Sequence, residues 1–358
     1  MYNVSYMAKR RGANGQTEKD RRIALIKELE TARGSKVISF ITSTRGGLDF
    51  PIAMDSVRKL FEHLKSATAR GAKPKIDLFI HSNGGDGIVP WKLVTLIRDY
   101  CSEFSVIVPH RAFSAATLIA LGADEIVMHP MGMLGPTDPT VTNPFNPQNP
   151  RNPNELLGIS VEDVSAYIKL VKDDFGITHE DELIQAVNAL SQHVHPLALG
   201  NVKRFHSQSR MLAKKLLELH MKDGTEDHKI ADIVDNLNSK LFFHGHPIHH
   251  KEAQKLGLKV KLATKPEQDL IWNLYLAYEK EMNLDEEFRF LDMFLSQHPQ
   301  LTNGQSEVID LPKVKGVYIE SATRTDVRTV DFQVFGQGIQ NGIINTQLLT
   351  KRAGWEQE

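Results

Sequence analysis

The chain has 358 residues, 41% of them hydrophobic and 24% charged, with a formal net charge of −1. That length can bury a sizeable core, and the near-zero charge excludes a global field that would gather nucleic acid or anionic lipid. A single cysteine, Cys101, excludes an intramolecular disulfide; at the end of a helical stretch it reads as a buried structural thiol.

The first ten residues, Met1–Arg10, carry basic residues with no apolar segment behind them, and no run of about 18 apolar residues follows anywhere. The expectation is a cytoplasmic protein with no membrane span. Thr17–Glu30 reads as a charged amphipathic helix and Val37–Thr42 as a strand. Asp55 is placed to cap a helix with Val57, Leu60, Phe61 and Leu64 at helical spacing, closed by Gly71. Strand and helix then alternate: Ile76–Ile80, Trp91–Cys101, Phe104–Val108, Ser114–Leu121, Glu125–Met128. This order predicts an α/β fold with a mainly parallel sheet flanked by helices and a site at the carboxyl ends of its strands.

The proline-rich run Asn143–Asn154 is neither a helix nor a central strand and reads as a loop or lid. Ser160–Phe175, with Ser160 and Asp163 spaced as a capping box, His206–Met221 and Asp227–Leu241 read as helices. Glu267–Met282 is an aromatic-rich helix. Val314–Glu320 and Asp326–Phe335 read as strands, and Gly336–Asn341 as a turn-rich break. No internal repeat is present.

Two segments carry the chemistry. Ile80-His81-Ser82-Asn83-Gly84-Gly85-Asp86-Gly87 and Ala112-Phe113-Ser114-Ala115-Ala116 each follow an apolar, β-branched run and open into a helical pattern. Two such turns side by side put the N–H groups of Gly85 and Ala115 at helix N-termini, where negative charge is stabilised. Ser114 sits at the same place. A hydroxyl nucleophile beside preorganised N–H donors is the requirement of acyl transfer. The plainer roles are a helix-capping serine and glycines that permit a tight turn.

From about Val37 to Val260 the chain resembles the Clp-protease/crotonase superfold, and within it the signal peptide peptidase A-like group and the serine dehydrogenase proteinase family. The resemblance rests on the Ser82-Asn83-Gly84-Gly85 turn, Ser114 with Asp124 after a small-residue run, Leu134-Gly135-Pro136-Thr137-Asp138-Pro139, His195–Arg204, and Glu252-Ala253-Gln254-Lys255-Leu256-Gly257-Leu258. It implies a serine peptidase domain at 36–263. An N-terminal polar or helical arm at 1–35 precedes it. A C-terminal helix-plus-strand extension at 264–358 follows, read as an oligomerisation or docking element.

The resemblance further implies Ser114 as nucleophile, with Gly85 and Ala115 as the oxyanion hole. Clp proteases use a histidine base, but its spacing here falls near Thr137–Pro139, where none stands. Signal peptide peptidase A relatives use a desolvated lysine whose pKa falls towards neutrality. Its place points to Lys203, with Lys169 and Lys172 as alternatives on the preceding helix. Lys203-Arg204 read plainly is a surface pair. The cluster His244–His250 matches no zinc template, so neither metal nor other cofactor is expected; His193 and His195 either line the site or pack and cap.

The leading expectation is a peptidase acting on a peptide or protein through an acyl-enzyme, assembled as a homo-oligomer through the Glu267–Met282 helix. The alternative is a catalytically silent Clp-fold scaffold. Crotonase-type acyl-CoA chemistry needs no serine at the helix start and fits less well. No Gly-x-Gly-x-x-Gly fingerprint or pyridoxal-phosphate lysine motif supports a dehydrogenase.

Overall fold

The computed structural model describes residues 17–68, 71, 73–137, 140–150, 152–221, 227–240, 246–339 and 343–358. Residues 1–16, Asp138, Pro139, Leu241, His244 and Asn341, named above, lie outside them.

The chain folds around one nine-stranded sheet. Lys36–Thr42, Lys75–His81, Glu103–Val108, Glu125–Met128 and Val260–Leu262 run parallel in that order. Their residues are mostly apolar on both faces because both faces are covered, with Ser39, Asp77 and Ser105 as buried polar exceptions. Alternate residues divide between two cores: Ile38, Phe40, Leu78, Ile80, Val106 and Val108 face one, and Val37, Ile41, Phe79 and Ile107 face the other. The first core is closed by the helices Asp55–Ala67, Val89–Tyr100, Ala115–Leu121 and the long Pro196–Glu218. The second is closed by Glu18–Arg33 and Lys265–Met282.

The N-terminal helix is longer than its pattern foretold, and begins with a Thr17/Asp20 capping box. Asp55 does not cap its helix. It is the first helical residue, after Met54, and its Oδ2 accepts from Arg328 Nε and Trp355 Nε1, each at 3.0 Å. That helix ends at Ala67, short of Gly71.

The C-terminal residues continue the same sheet. Val314–Ser321 pairs antiparallel with Lys36–Thr42, and Arg324–Gly338 pairs in turn with Val314–Ser321, Ser306–Asp310 and Ile344–Gln357. The expected break at Gly336–Asn341 is therefore strand as far as Gly338, and the sheet is half antiparallel. Residues on both sides of the expected boundary at 263/264 contribute strands to this sheet. On the Lys265–Met282 helix, Ile271, Leu274, Tyr275 and Tyr278 are buried within the chain. The apolar surplus read as an intermolecular contact is thus taken up against the sheet and against Ile26 and Leu29.

The proline-rich run holds a short ribbon, Gln148–Asn149 with Asn152–Leu156, and Thr140–Val141 pairs with Ile159–Ser160. Beyond it stand the helices Val161–Lys169, continued by a wider turn over Leu170–Asp174, and Glu180–His193. Among the described residues no helix is long and apolar enough to cross a membrane.

Candidate active site

At the carboxyl ends of the parallel strands the two strand-to-helix turns meet. Ser82 N–H donates to the Arg111 carbonyl at 3.0 Å, and Phe113 N–H donates to the Ser82 carbonyl at 3.0 Å. The first turn is locked from its other side: Ile52 N–H donates to the Gly84 carbonyl at 2.7 Å and Asp86 N–H to the Ile52 carbonyl at 2.9 Å. Gly84 and Gly85 have φ of 117° and 153°, a region that side chains disfavour. Space forbids them as well. A Cβ on Gly84 would stand 2.8 Å from Ser114 Cβ, and one on Gly85 would overlap the Ile52 backbone. The glycines serve close approach as much as the turn.

Ser114 has φ 51° and ψ −112°, immediately before the Ala115–Leu121 helix. Positive φ at a non-glycine residue costs on the order of 1–3 kcal/mol, and such strain concentrates at functional sites. Here it is held by Ala116 N–H to the Phe113 carbonyl at 2.9 Å and Leu118 N–H to the Ser114 carbonyl at 3.0 Å. The Ser114 side chain caps no N–H of the helix, which removes the plain capping role. Thr117 fastens the helix from below: its Oγ1 donates within reach of the Ala112 and Gly135 carbonyls at 2.7 and 2.9 Å and accepts from Gly135 N–H at 3.1 Å. Among the described residues, neither Gly85 N–H nor Ala115 N–H donates a hydrogen bond.

Ser114 and Gly85 line a cleft of about 430 Å³ together with Asn83, Asp86, Ile88 and Leu118. Its opposite wall is one face of the Pro196–Glu218 helix, carrying Phe205, Gln208, Ser209 and Leu212, with Thr137 and Thr142 at its edge. Ser209 Oγ donates to the Thr137 carbonyl at 2.6 Å and fixes that wall. Asn83 Nδ2 donates to Asp49 Oδ1 at 3.1 Å, while burial pushes the Asp49 carboxyl up.

The structure brings Ser114, Gly85 and Ala115 together but not the lysines. Lys203 is exposed on the Pro196–Glu218 helix, two residues before Phe205 and so on nearly the opposite side from the cleft. Lys169 and Lys172 are also exposed. Among the described residues, the cleft lining includes no lysine and no histidine.

The model of the family described as ClpP-like SDH-type serine proteinases matches residues 7–148, a span that holds both turns and Ser114. Over that span the chain is similar to these serine proteinases. Two uncharacterized proteins of Methanocaldococcus jannaschii are also similar. One is 27% identical over 257 residues, 71% of this chain and 78% of its own; the other is 26% identical over 243 residues, 67% and 71%. Among solved structures, a point mutant of the 1510-N membrane-bound stomatin-specific protease superposes with TM-score 0.37 and 16% identity, covering 64% of this chain and 81% of that one. A second mutant of that protease, in complex with a substrate peptide, gives 0.38 and 16%, with 65% and 78% covered.

The remaining sequence candidates have structural roles. His195 caps the Pro196–Glu218 helix, its Nδ1 accepting from Leu197 N–H at 3.1 Å, and stacks on Phe145 at 5.0 Å. His193 ends its own helix. His246 pairs with Glu252 at 2.9 Å, and His249 caps the His250–Lys255 helix. Among the described residues no group of three acidic, histidine or cysteine side chains could hold a metal ion. Cys101 is buried at the end of the Val89–Tyr100 helix, its thiol pushed up to about 11 by desolvation. Asp124, part of the family pattern, accepts from Arg98 at 2.9 Å and Phe104 N–H at 2.8 Å, which fixes the far end of the serine helix.

Sequence reasoning missed the cleft's second wall. Phe205, Gln208, Ser209 and Leu212 recur at helical spacing, and that face could have been read from the period alone. It missed Ile52 too, which sits in the short apolar stretch Phe50–Met54 with no strand or helix period to mark it.

Proposed function

We propose that the protein is a serine peptidase that cleaves a peptide or protein substrate through an acyl-enzyme, with Ser114 as nucleophile. The observation that carries this reading is the strained Ser114 backbone at a cleft, between two N–H groups with no partner among the described residues. The scissile carbonyl would sit against Ser114 Oγ, and the developing oxyanion against the Gly85 and Ala115 N–H groups. Loss of one such donor typically costs ~100-fold or more in rate. Lys203 is proposed as the base, with Lys169 and Lys172 as alternatives; each must lose its exposure to act, because a solvated ammonium keeps its proton. Self-assembly into a homo-oligomer belongs to the same reading. Its surface would include the Glu180–His193 helix, which has no buried residue and exposes Ile184 and Val187.

A fluorophosphonate probe, mapped by mass spectrometry, tests the nucleophile: an adduct on Ser114 that vanishes in a folded Ser114→Ala protein is expected. Normal peptide turnover by that variant would refute the assignment. Lys203→Arg should abolish turnover, because guanidinium does not give up its proton. If it retains activity while Lys169→Arg or Lys172→Arg loses it, the base lies on the earlier helix.

One observation favours a second reading, a silent scaffold. Among the described residues the cleft lining holds no amine or imidazole. An unlabelled Ser114 in a folded protein would support that reading.

A further inference from the structure

A second serine, far from the cleft, stands beside a histidine and an aspartate. Ser321 ends the Val314–Ser321 strand, beside the Ala322-Thr323 turn that leads into Arg324–Gly338. Its Oγ is 2.9 Å from His63 Nδ1. His63 Nε2 in turn stands 3.3 Å from Asp326 Oδ2. His63 and Asp326 are fully buried and Ser321 is 8% exposed. Asp326 is held by Arg324 and by Lys59 Nζ at 3.1 Å, and these two keep it ionised against the desolvation that would raise it. Desolvation holds the imidazole down to about 4, so the ring is neutral near pH 7. His63 Nε2 faces Asp326 without a hydrogen bond in this geometry; with its hydrogen on Nε2, the ring offers Nδ1 as the acceptor for the Ser321 hydroxyl.

His63 and Ser321 both line a cavity of about 410 Å³. Its walls include Val37, Ile38, Ala67, Pro74 and Ala322, with the Glu30–Lys36 ion pair among its polar groups. The cavity lies where the first strand begins, at the opposite end of that strand from the Ser114 turns. Its volume suits a small molecule.

We propose that Ser321, His63 and Asp326 form a second nucleophilic site, one that takes small activated esters with an apolar acyl group. The Ser321 proton passes to His63 Nδ1 as Oγ bonds to the carbonyl carbon. The bond from that carbon to the alcohol oxygen then breaks, and the alcohol leaves with the proton from Nδ1. Water repeats the exchange, which releases the carboxylic acid and restores the serine. Asp326 orients the ring; Lys59 and Arg324 offset its charge.

Diisopropyl fluorophosphate, applied to the intact full-length protein and mapped by mass spectrometry, tests this. Phosphorylation of Ser321, with loss of fluoride, is expected in the wild type and equally in Ser114→Ala, so the result is independent of the Ser114 reading. His63→Ala should slow the Ser321 adduct about 100-fold, the lower range of a general base. p-Nitrophenyl butyrate hydrolysis by Ser114→Ala should be lost on adding Ser321→Ala. Absence of a Ser321 adduct in the wild type overturns the proposal, whatever happens at Ser114. So does an equally fast adduct in folded His63→Ala. The wild-type map needs no substitution and decides even if a variant fails to fold.

Discussion

Arg22 and Glu320 lie 298 residues apart in the chain and form a buried ion pair, Nε to Oε2 at 2.7 Å. Tyr278 donates to the same carboxylate at 2.6 Å and Thr325 at 2.8 Å, while the guanidinium lies over the Tyr318 ring at 4.8 Å. Four elements converge on that carboxylate: the N-terminal helix, the Lys265–Met282 helix and two C-terminal strands. Removing one partner of such a pair strands a charge in the core, which typically costs about 3–5 kcal/mol. Arg22→Ala should therefore lower the urea midpoint sharply, whereas an Arg22→Met, Glu320→Leu double variant should recover part of the loss. A midpoint unchanged in Arg22→Ala would show that the carboxylate finds another cation.

A chain ending at Ala263 should not be soluble as a folded protein. It loses the Val314–Ser321 strand, and with it the antiparallel partner of Ile38, Ser39, Phe40, Ile41 and Thr42. A flat, apolar, unpaired strand is a template for aggregation. Light scattering and circular dichroism of the truncated chain check this; a folded, dispersed product would show that residues 264–358 are dispensable to the sheet.

Gly85→Ala should reduce fluorophosphonate labelling of Ser114 more than it reduces stability. The added methyl meets the Ile52 backbone and so shifts the Gly85 N–H proposed for the oxyanion hole. A loss on the order of 100-fold in labelling rate is expected from one misplaced donor. Equal labelling of folded Gly85→Ala and wild type would remove the Gly85 N–H from the site.

Acid should destabilise the protein from about pH 6.5 downward. Desolvation lowers His63 to about 4 and His81 to about 3 in the fold. In the unfolded chain an ordinary histidine titrates near ~6.5. The unfolded state thus binds protons first, so the stability contributed by these rings is complete above about 6.5 and is lost as pH falls towards 4 and 3. His81 is locked in its neutral form, with Nδ1 accepting from Arg111 N–H at 3.3 Å and Nε2 3.1 Å from Thr44 Oγ1. Urea midpoints between pH 8 and 4.5 measure the slope. His81→Gln should flatten it, at a cost in stability at neutral pH.

The parallel half of the sheet was legible because burial on both faces leaves runs rich in apolar residues, such as Leu78–Ile80 and Val106–Val108, and because Gly84-Gly85 and Ser114 mark where they turn. The Ile344–Gln357 strand was not legible. It is an edge strand, mostly exposed, held by backbone pairing to Arg324–Gly338; its alternation covers only Ile344–Leu349 and no residue of it is fully buried. Glu180–His193 escaped notice for the related reason that it buries nothing. At the site, Ser114, Gly85 and Ala115 were readable because their turns are local. Which side chain could serve as base depends on how a distant helix is rotated about its axis, and the sequence around Lys203 does not state that rotation.

The strand Lys36–Thr42 is among the first sheet segments to leave the ribosome, yet it ends up mid-sheet, with one neighbour from residues 75–81 and the other from residues 314–321. During synthesis one of its edges must therefore wait through nearly three hundred residues. Contacts so distant in sequence slow folding and expose unpaired edges while they are pending. In the nascent chain that edge stays unpaired until residues 314–321 have been made.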